Sequence, residues 1–75
     1  MEEKIKRAVK TALKRNTFTA TENIEVVVQG RVVILTGIVG HDDLIYEAVA
    51  TAESVSSKLR VYSNLEVDAG ASATV

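Results

Sequence analysis

The first fifteen residues have the apolar spacing of an amphipathic helix. Ile5, Val9 and Leu13 are four residues apart, with Ala8 and Ala12 beside them, so all five fall on one side of a helix with 3.6 residues per turn. We therefore predict a helix over residues 2–15. At 100° per residue, most of its cations fall in an arc centred away from the apolar stripe, namely Lys4, Arg7, Lys10, Lys14 and Arg15.

Two β-rich stretches follow a polar connector, residues 16–23, in which Phe18 is predicted to cap the end of the core. Apolar and polar residues alternate over 24–29, which is typical of a half-buried strand. A more uniformly apolar stretch lies at 32–39, and Gly30-Arg31 between the two has the length of a two-residue hairpin loop. This loop predicts a register that pairs Gln29 with Val32, Val28 with Val33, Val26 with Leu35 and Ile24 with Gly37.

The predicted register assigns each hairpin residue to one of two faces of the sheet. One face is apolar and is the predicted core side, with Ile24, Val26, Val28, Val33, Leu35 and Val39. The other face mixes polar and apolar side chains, namely Glu25, Val27, Gln29, Val32, Ile34, Thr36 and Ile38. We predict that Gly37 gives room for helix packing and that Gly40 supplies a turn.

The remaining residues have the pattern of a second helix and a third strand. Apolar residues continue at helical spacing from Leu44 to about Val55, after a turn in which His41 or Asp42 is predicted to lie near the helix cap. The outer side of this helix is acidic, and residues 59–67 then alternate as a strand.

The predicted order is therefore α-β-β-α-β, which indicates an α+β fold. We expect a two-layer sandwich in which a three-stranded mixed sheet carries both helices on one face. Strand 2 is the most apolar and should be central. Strand 3, reached by a right-handed crossover through the second helix, should run parallel to it.

Composition limits the chain to one small domain. Seventy-five residues cannot be divided into two cores, and the absence of cysteine excludes disulfides, thiolate metal sites and cysteine nucleophiles. Aromatic residues make up only 4% of the chain, which leaves no stacking platform for nucleic-acid bases. We predict one domain over residues 1–67 and a flexible C-terminal tail over 68–75, with no cofactor and no nucleic-acid partner.

Charge is distributed unevenly along the chain, although the formal net charge is only −1. Residues 1–15 hold six cations and two carboxylates and sum to +4, whereas the other sixty residues sum to −5. A basic segment can indicate nucleic acid or anionic lipid, but a pI of about 5.7 argues against a dedicated nucleic-acid binder. Because no secretory signal precedes the helix, we expect a cytoplasmic location if the chain is full length, and a periplasmic or envelope location if it is a mature domain.

Several of these segments together resemble the BON domain of bacterial osmotic-shock and nodulation-related proteins. The similar segments are Ala12-Leu13, Ile24-Glu25-Val26, the run from Gly30 to Val39, Ala48, Ala52 and Val55, and then Val61, Ser63-Asn64, Leu65 and Val67. The resemblance covers about residues 3–67, and its most specific element is the strand ending Leu35-Thr36-Gly37. It implies a non-enzymatic module that attaches proteins to phospholipid or envelope surfaces, with no catalytic residues to carry over.

The chain departs from the family pattern at two turns. The family's glycine stands directly before its Val-Val pair, where this chain has Arg31, with Gly30 one position earlier. The Gly-Val that usually follows the second helix is replaced by Ser57-Lys58, which predicts a different entry to strand 3.

The basic side of the first helix is the first candidate binding surface. Lys6, Arg7, Lys10 and Lys14 are the residues predicted to dock on anionic lipid. The helix lacks the Trp, Phe or Leu that membrane-surface helices usually carry at the edge of the polar face. An ordinary solvated helix face, or ion pairs with the acidic second helix, would explain the same charges.

The second candidate surface is the sheet face that two helices on the opposite side cannot cover. Its apolar residues are predicted to be Val27, Val32, Ile34, Ile38 and Tyr62. Exposed apolar clusters of this kind mark contact surfaces. A homo-oligomer contact is the leading interpretation, with lipid or another protein as alternatives, and a different register or cover by the tail would remove the surface.

His41-Asp42-Asp43 contains three side chains of types that can bind metal ions, but they are consecutive in the chain. No other His or Cys can complete a zinc or transition-metal site. We therefore predict helix capping for this segment, with no metal site. Since no nucleophile accompanies it, we predict no catalytic site.

Overall fold

The structure, a computed structural model, describes residues 1–68 and contains the five predicted elements in the predicted order. They are α1 (Glu2–Arg15), β1 (Asn23–Gln29), β2 (Val32–Val39), α2 (Asp42–Glu53) and β3 (Arg60–Val67). Both helices pack on the same face of the mixed sheet, which confirms the α+β fold. Of the predicted tail, only Asp68 lies within the described residues. Its N–H donates to the carbonyl of Val39, 2.8 Å away.

The sheet has the order β1-β2-β3, so the most apolar strand is central. β1 and β2 are antiparallel, and their register is the predicted one, from Gln29 opposite Val32 to Ile24 opposite Gly37. β3 is parallel to β2, as the connection through α2 requires, and pairs Ile34 with Tyr62.

The hairpin loop has a conformation that explains its sequence. Gly30 has a φ of +63°, whereas no residue other than glycine has a positive φ in the part of the chain that the structure describes. A glycine at the first loop position with a positive φ is typical of a type II′ turn, whose twist matches that of the strands. The N–H of Gly30 also donates to Oε2 of Glu2 at 2.6 Å, which joins the start of α1 to this loop.

The core lies between the sheet and the two helices. Its fully or almost fully buried members are Val9 and Leu13 of α1, Val26 of β1, Val33 and Leu35 of β2, and Ala48 and Ala52 of α2. The fully buried positions of α2 are two alanines, whose small side chains allow the helix to approach the sheet closely. Ile5, Val49, Val61 and Leu65 surround this cluster and are partly buried.

The prediction that Phe18 caps the core is wrong. Phe18 is 65% exposed, and the neighbouring Thr19 is buried in the connector. The hydroxyl of Thr19 donates to the carbonyl of Leu13 at 2.6 Å, which satisfies a carbonyl near the end of α1. A polar residue can close this end of the core because its one hydroxyl has a backbone partner.

We expect Thr19→Val to destabilise the domain by about 1–2 kcal/mol. Valine keeps the shape of threonine but removes the hydroxyl that donates to Leu13. Urea unfolding measures the difference, with Thr17→Val as the control, because Thr17 is exposed in the same connector. Equal stability of the two variants would show that the hydrogen bond contributes nothing.

The predicted role of Gly37 in helix packing is also wrong. Gly37 lies in β2 with a φ of +127°, and a Cβ at this position would overlap the carbonyl oxygen of Asn23. The same Cβ would lie 3.3 Å from Cα of Ile24. The three atoms nearest to such a Cβ all belong to the β1 backbone, whose close approach therefore requires the glycine.

Candidate functional site

The outer face of α1 brings the four predicted lipid-binding residues together. Lys6, Arg7, Lys10 and Lys14 are all exposed and line one shallow depression, along with Glu3 and Thr11. The helix presents this face to solvent because Val9 and Leu13 hold the opposite side against the sheet. Four cations therefore lie within about two and a half turns of one exposed helix.

This basic face has two flanks with different surroundings. On one flank Lys6, Lys10 and Lys14 border a cavity of about 430 Å³ whose other side is the connector and the start of β1. That side includes the carboxylates of Glu22 and Glu25. An anionic ligand on this flank would be repelled by these two carboxylates. The outermost part of α1 is therefore the more favourable place for contact with anions.

The other flank is a groove of about 770 Å³ between α1 and the end of α2. Lys4, Arg7 and Arg15 contribute cations, and Ala8 and Ala12 are among the residues that line it. Thr11, Thr51 and Ser54 add hydroxyl groups. Lys4 and Arg15 were not among the predicted site residues. Their signal in the sequence is the spacing i, i+3, i+7, i+11 of Lys4, Arg7, Thr11 and Arg15, which places them in one row beside the apolar stripe.

The end of α1 is joined to α2 by Asn16. Its Nδ2 donates to Oε2 of Glu47 and to Oγ1 of Thr51, both at 2.8 Å. Glu47 is therefore half-buried, with its carboxylate against the end of α1. The carboxylate of α2 that faces α1 here therefore has an amide as its hydrogen-bond partner.

The outer face of the sheet carries the second set of predicted residues. Val27, Ile34 and Tyr62 are opposite one another on the three strands and form one cross-strand row. Val27 and Tyr62 are 40% and 54% exposed, and Ile34 between them is half-buried. Val32 precedes Ile34 on β2 and extends the row into an apolar patch.

Ile38 is separated from that row by Thr36. It is 52% exposed and lies level with Asn23 on β1 and Glu66 on β3. The outer sheet face therefore contains an apolar centre at Val27, Ile34 and Tyr62, and a second apolar point one row beyond Thr36. We call the set Val27, Val32, Ile34, Ile38 and Tyr62 the outer sheet patch.

The segment His41-Asp42-Asp43 starts α2 without a side-chain cap. His41 has an extended backbone at the N-cap position, but no side-chain hydrogen bond caps the helix. The predicted position of the cap is correct, but the predicted side-chain capping is wrong. The stabilisation of this helix end is electrostatic, because Asp42 and Asp43 lie in the first turn, where negative charge is favourable. Residues 1–68 contain no group of three or more His, Cys, Asp or Glu side chains placed to hold a metal ion.

Comparison with known proteins identifies the family. The family model of the BON domain matches residues 2–69, which is nearly the whole chain. A search of curated proteins found no match. Within residues 1–68, no helix has the length and apolar character that crossing a bilayer requires. The matched region includes both helices and all three strands, and on this basis the chain belongs to the BON domain family.

Proposed function

We propose that this domain attaches to anionic phospholipid surfaces through the outer face of α1. BON domains are non-catalytic binding modules, and phospholipid is the ligand suggested for them. The observation that carries the proposal is the grouping of Lys6, Arg7, Lys10 and Lys14 in one exposed depression. A cation near an anionic membrane surface contributes about 1 kcal/mol, so four together give useful affinity.

The mode of binding follows from which side chains this face lacks. Between the cations the face has Glu3 and Thr11, and no large apolar side chain that would enter the acyl region. Contact is therefore with lipid headgroups, and it depends on charge. Such binding should weaken strongly as salt shortens the Debye length.

The test compares two variants that lose the same amount of charge. Lys6→Gln with Lys10→Gln removes two cations from the depression, and Arg31→Gln with Lys58→Gln removes two exposed cations outside α1. With vesicles rich in phosphatidylserine at low salt, we expect the first variant to bind roughly thirtyfold more weakly than the wild type. The second variant should bind nearly as well as the wild type.

Vesicle co-sedimentation measures both affinities, with phosphatidylcholine vesicles as the uncharged control. Glutamine preserves helix propensity, so circular dichroism should show an unchanged helix content. Equal losses in the two variants would show that only net charge matters and would remove α1 as the site. Binding of the wild type to phosphatidylcholine alone would overturn the electrostatic mechanism.

A second function, self-association or protein docking, is favoured by the outer sheet patch. Val27, Ile34 and Tyr62 form their apolar row on the face that neither helix covers. Apolar side chains that cluster on an exposed face are a feature of contact surfaces. This function would require the purified domain to associate at high concentration, which sedimentation equilibrium measures.

A further inference from the structure

We propose that a second copy of this chain covers the outer sheet patch, with its strands antiparallel to those of the first copy. In this arrangement Arg60 of each copy lies against Glu66 of the other. The inference rests on the proposed self-association and specifies its partner and orientation.

The argument starts from four cross-strand rows on the outer face, fixed by the two strand registers. In order along β2 they are Gln29–Val32–Arg60, Val27–Ile34–Tyr62, Glu25–Thr36–Asn64 and Asn23–Ile38–Glu66. The first and last rows have the same types of residue on each strand. Each has an amide on β1, an aliphatic residue on β2 and a charged residue on β3. The two charges are opposite in sign.

The outer face is therefore electrostatically polar along the strands. Arg60 and Glu66 are both exposed and lie at opposite ends of β3, about 20 Å apart at 3.3 Å per residue. Glu25 adds a second carboxylate at the Glu66 end, one row away. The acidic end argues against an anionic bilayer as the occupant of this face, because two carboxylates would approach the lipid phosphates.

Two-fold symmetry then selects one orientation. A sheet face can pack on its own copy about a two-fold axis that lies between the sheets, either along the strands or across them. An axis along the central strand β2 exchanges the edge strands, so Arg60 lies over Gln29 of the other copy, Glu66 lies over Asn23, and neither charge meets an opposite charge. An axis across the strands reverses the direction of one copy, and each Arg60 then meets a Glu66.

In this orientation two apolar residues of the patch meet each other, and the central apolar row meets a polar row. If the axis passes between the Ile34 and Thr36 rows, Val32 of one copy faces Ile38 of the other, and both are apolar. Tyr62 faces Asn64, an amide that can bond its hydroxyl, and Ile34 faces Thr36. At the β1 edge Val27 faces Glu25, whose carboxylate keeps its solvation at the rim of the contact. The isolated position of Ile38, one row beyond Thr36, is thereby explained, since it covers the partner's Val32.

The size of the face predicts a weak dimer. Three strands spaced about 4.8 Å apart and about seven residues long give a contact of roughly 14 by 23 Å. Two such faces bury on the order of 1,000 Å² or less in total, below the standard size of stable interfaces. Association should therefore depend on concentration, with a dissociation constant in or above the micromolar range.

The test is sedimentation equilibrium of the full chain at low salt with three surface variants. Ile34→Lys tests the face, and Arg60→Glu and Glu66→Arg test the orientation. We expect the wild type to form dimers and Ile34→Lys to be monomeric. Each charge reversal alone places two pairs of like charges in contact and should weaken dimerisation about tenfold or more.

An equal mixture of Arg60→Glu and Glu66→Arg proteins should recover association. In that heterodimer one copy has glutamate at both positions and the other has arginine at both. Each glutamate therefore faces an arginine again. Circular dichroism and thermal unfolding at low concentration confirm that each variant is folded, which we expect because the changed side chains are not in the core.

The outcomes separate the inference from the function on which it rests. If the wild type dimerises, Ile34→Lys does not, and the charge reversals have no effect, the sheet face associates but the antiparallel orientation is wrong. A wild type that stays monomeric at millimolar concentration, or dimers that Ile34→Lys leaves intact, would overturn both. Monomers that lose vesicle binding on Ile34→Lys would show that the occupant is lipid.

Discussion

Gly37→Ala should destabilise the domain by about 3 kcal/mol or more, because the substitution combines two costs. Alanine is strained at a φ of +127°, and its Cβ would overlap the carbonyl oxygen of Asn23. That carbonyl belongs to backbone on the adjacent strand, so relief requires β1 to move away from β2. A domain of this length is stable by roughly 4–11 kcal/mol in total, so the expected loss is a large fraction of the free energy of unfolding.

Two other glycines give matched controls for this prediction. A Cβ at Gly40 would make only an ordinary contact of 3.8 Å with Glu22, so Gly40→Ala should be nearly neutral. Gly30 has open space around it but a positive φ, so Gly30→Ala should cost only the conformational term of about 1 kcal/mol. Urea unfolding of the three variants should give the order Gly37, Gly30, Gly40. A different order would mean that the close approach of Asn23 is not what requires glycine.

Leu35→Ala should cost about 2–5 kcal/mol, the range for removing a large side chain from a packed core. Leu35 is fully buried at the centre of β2, opposite Val26 on β1 and Ser63 on β3. The sheet lies on one side of it and the two helices on the other, so no neighbour can collapse freely into the space.

Val27→Ala is the control for Leu35→Ala, because Val27 lies on the same sheet but on its outer face and is 40% exposed. It should cost less than 1 kcal/mol when measured at a protein concentration too low for association. Leu35→Met should also be tolerated, since it nearly conserves volume. Equal losses for Leu35→Ala and Val27→Ala would contradict the assignment of the two faces.

The hairpin was the most predictable part of the fold, for a physical reason. A two-residue loop at Gly30-Arg31 leaves no freedom in the pairing of the strands, and a shift of one residue would expose every core side chain. The same reasoning could not find the role of Gly37. Spacing shows where a glycine lies in a strand, but which backbone approaches it depends on the twist of the assembled sheet.

The candidate sites were predictable to different extents. The basic face of α1 follows from the angular positions of residues on one helix, so Lys6, Arg7, Lys10 and Lys14 could be grouped without any tertiary information. The contributions of Lys4 and Arg15 to the groove require α2 beside α1. The position of Tyr62 in the outer row depends on the β2–β3 register, which no short turn fixes, because twenty residues separate these strands.

Short-range chemistry was the least predictable. Phe18 and Thr19 are adjacent, and a rule that apolar residues enter the core selects Phe18, which is the exposed one. Thr19 is buried instead because its hydroxyl donates to a carbonyl of α1. His41 is at the N-cap, but whether its side chain reaches a backbone N–H depends on a rotamer that the sequence does not specify.

Both helices lie on one side of the sheet, so the basic face of α1 and the outer sheet patch point in opposite directions. Occupation of one surface therefore leaves the other open. A pair of domains joined through their sheets would carry its cationic faces on its two outermost sides, turned away from each other. A flat bilayer can touch only one of them at a time. Such a pair would gain no avidity on a single membrane and would instead bridge two, so its signature would be the clustering of vesicles.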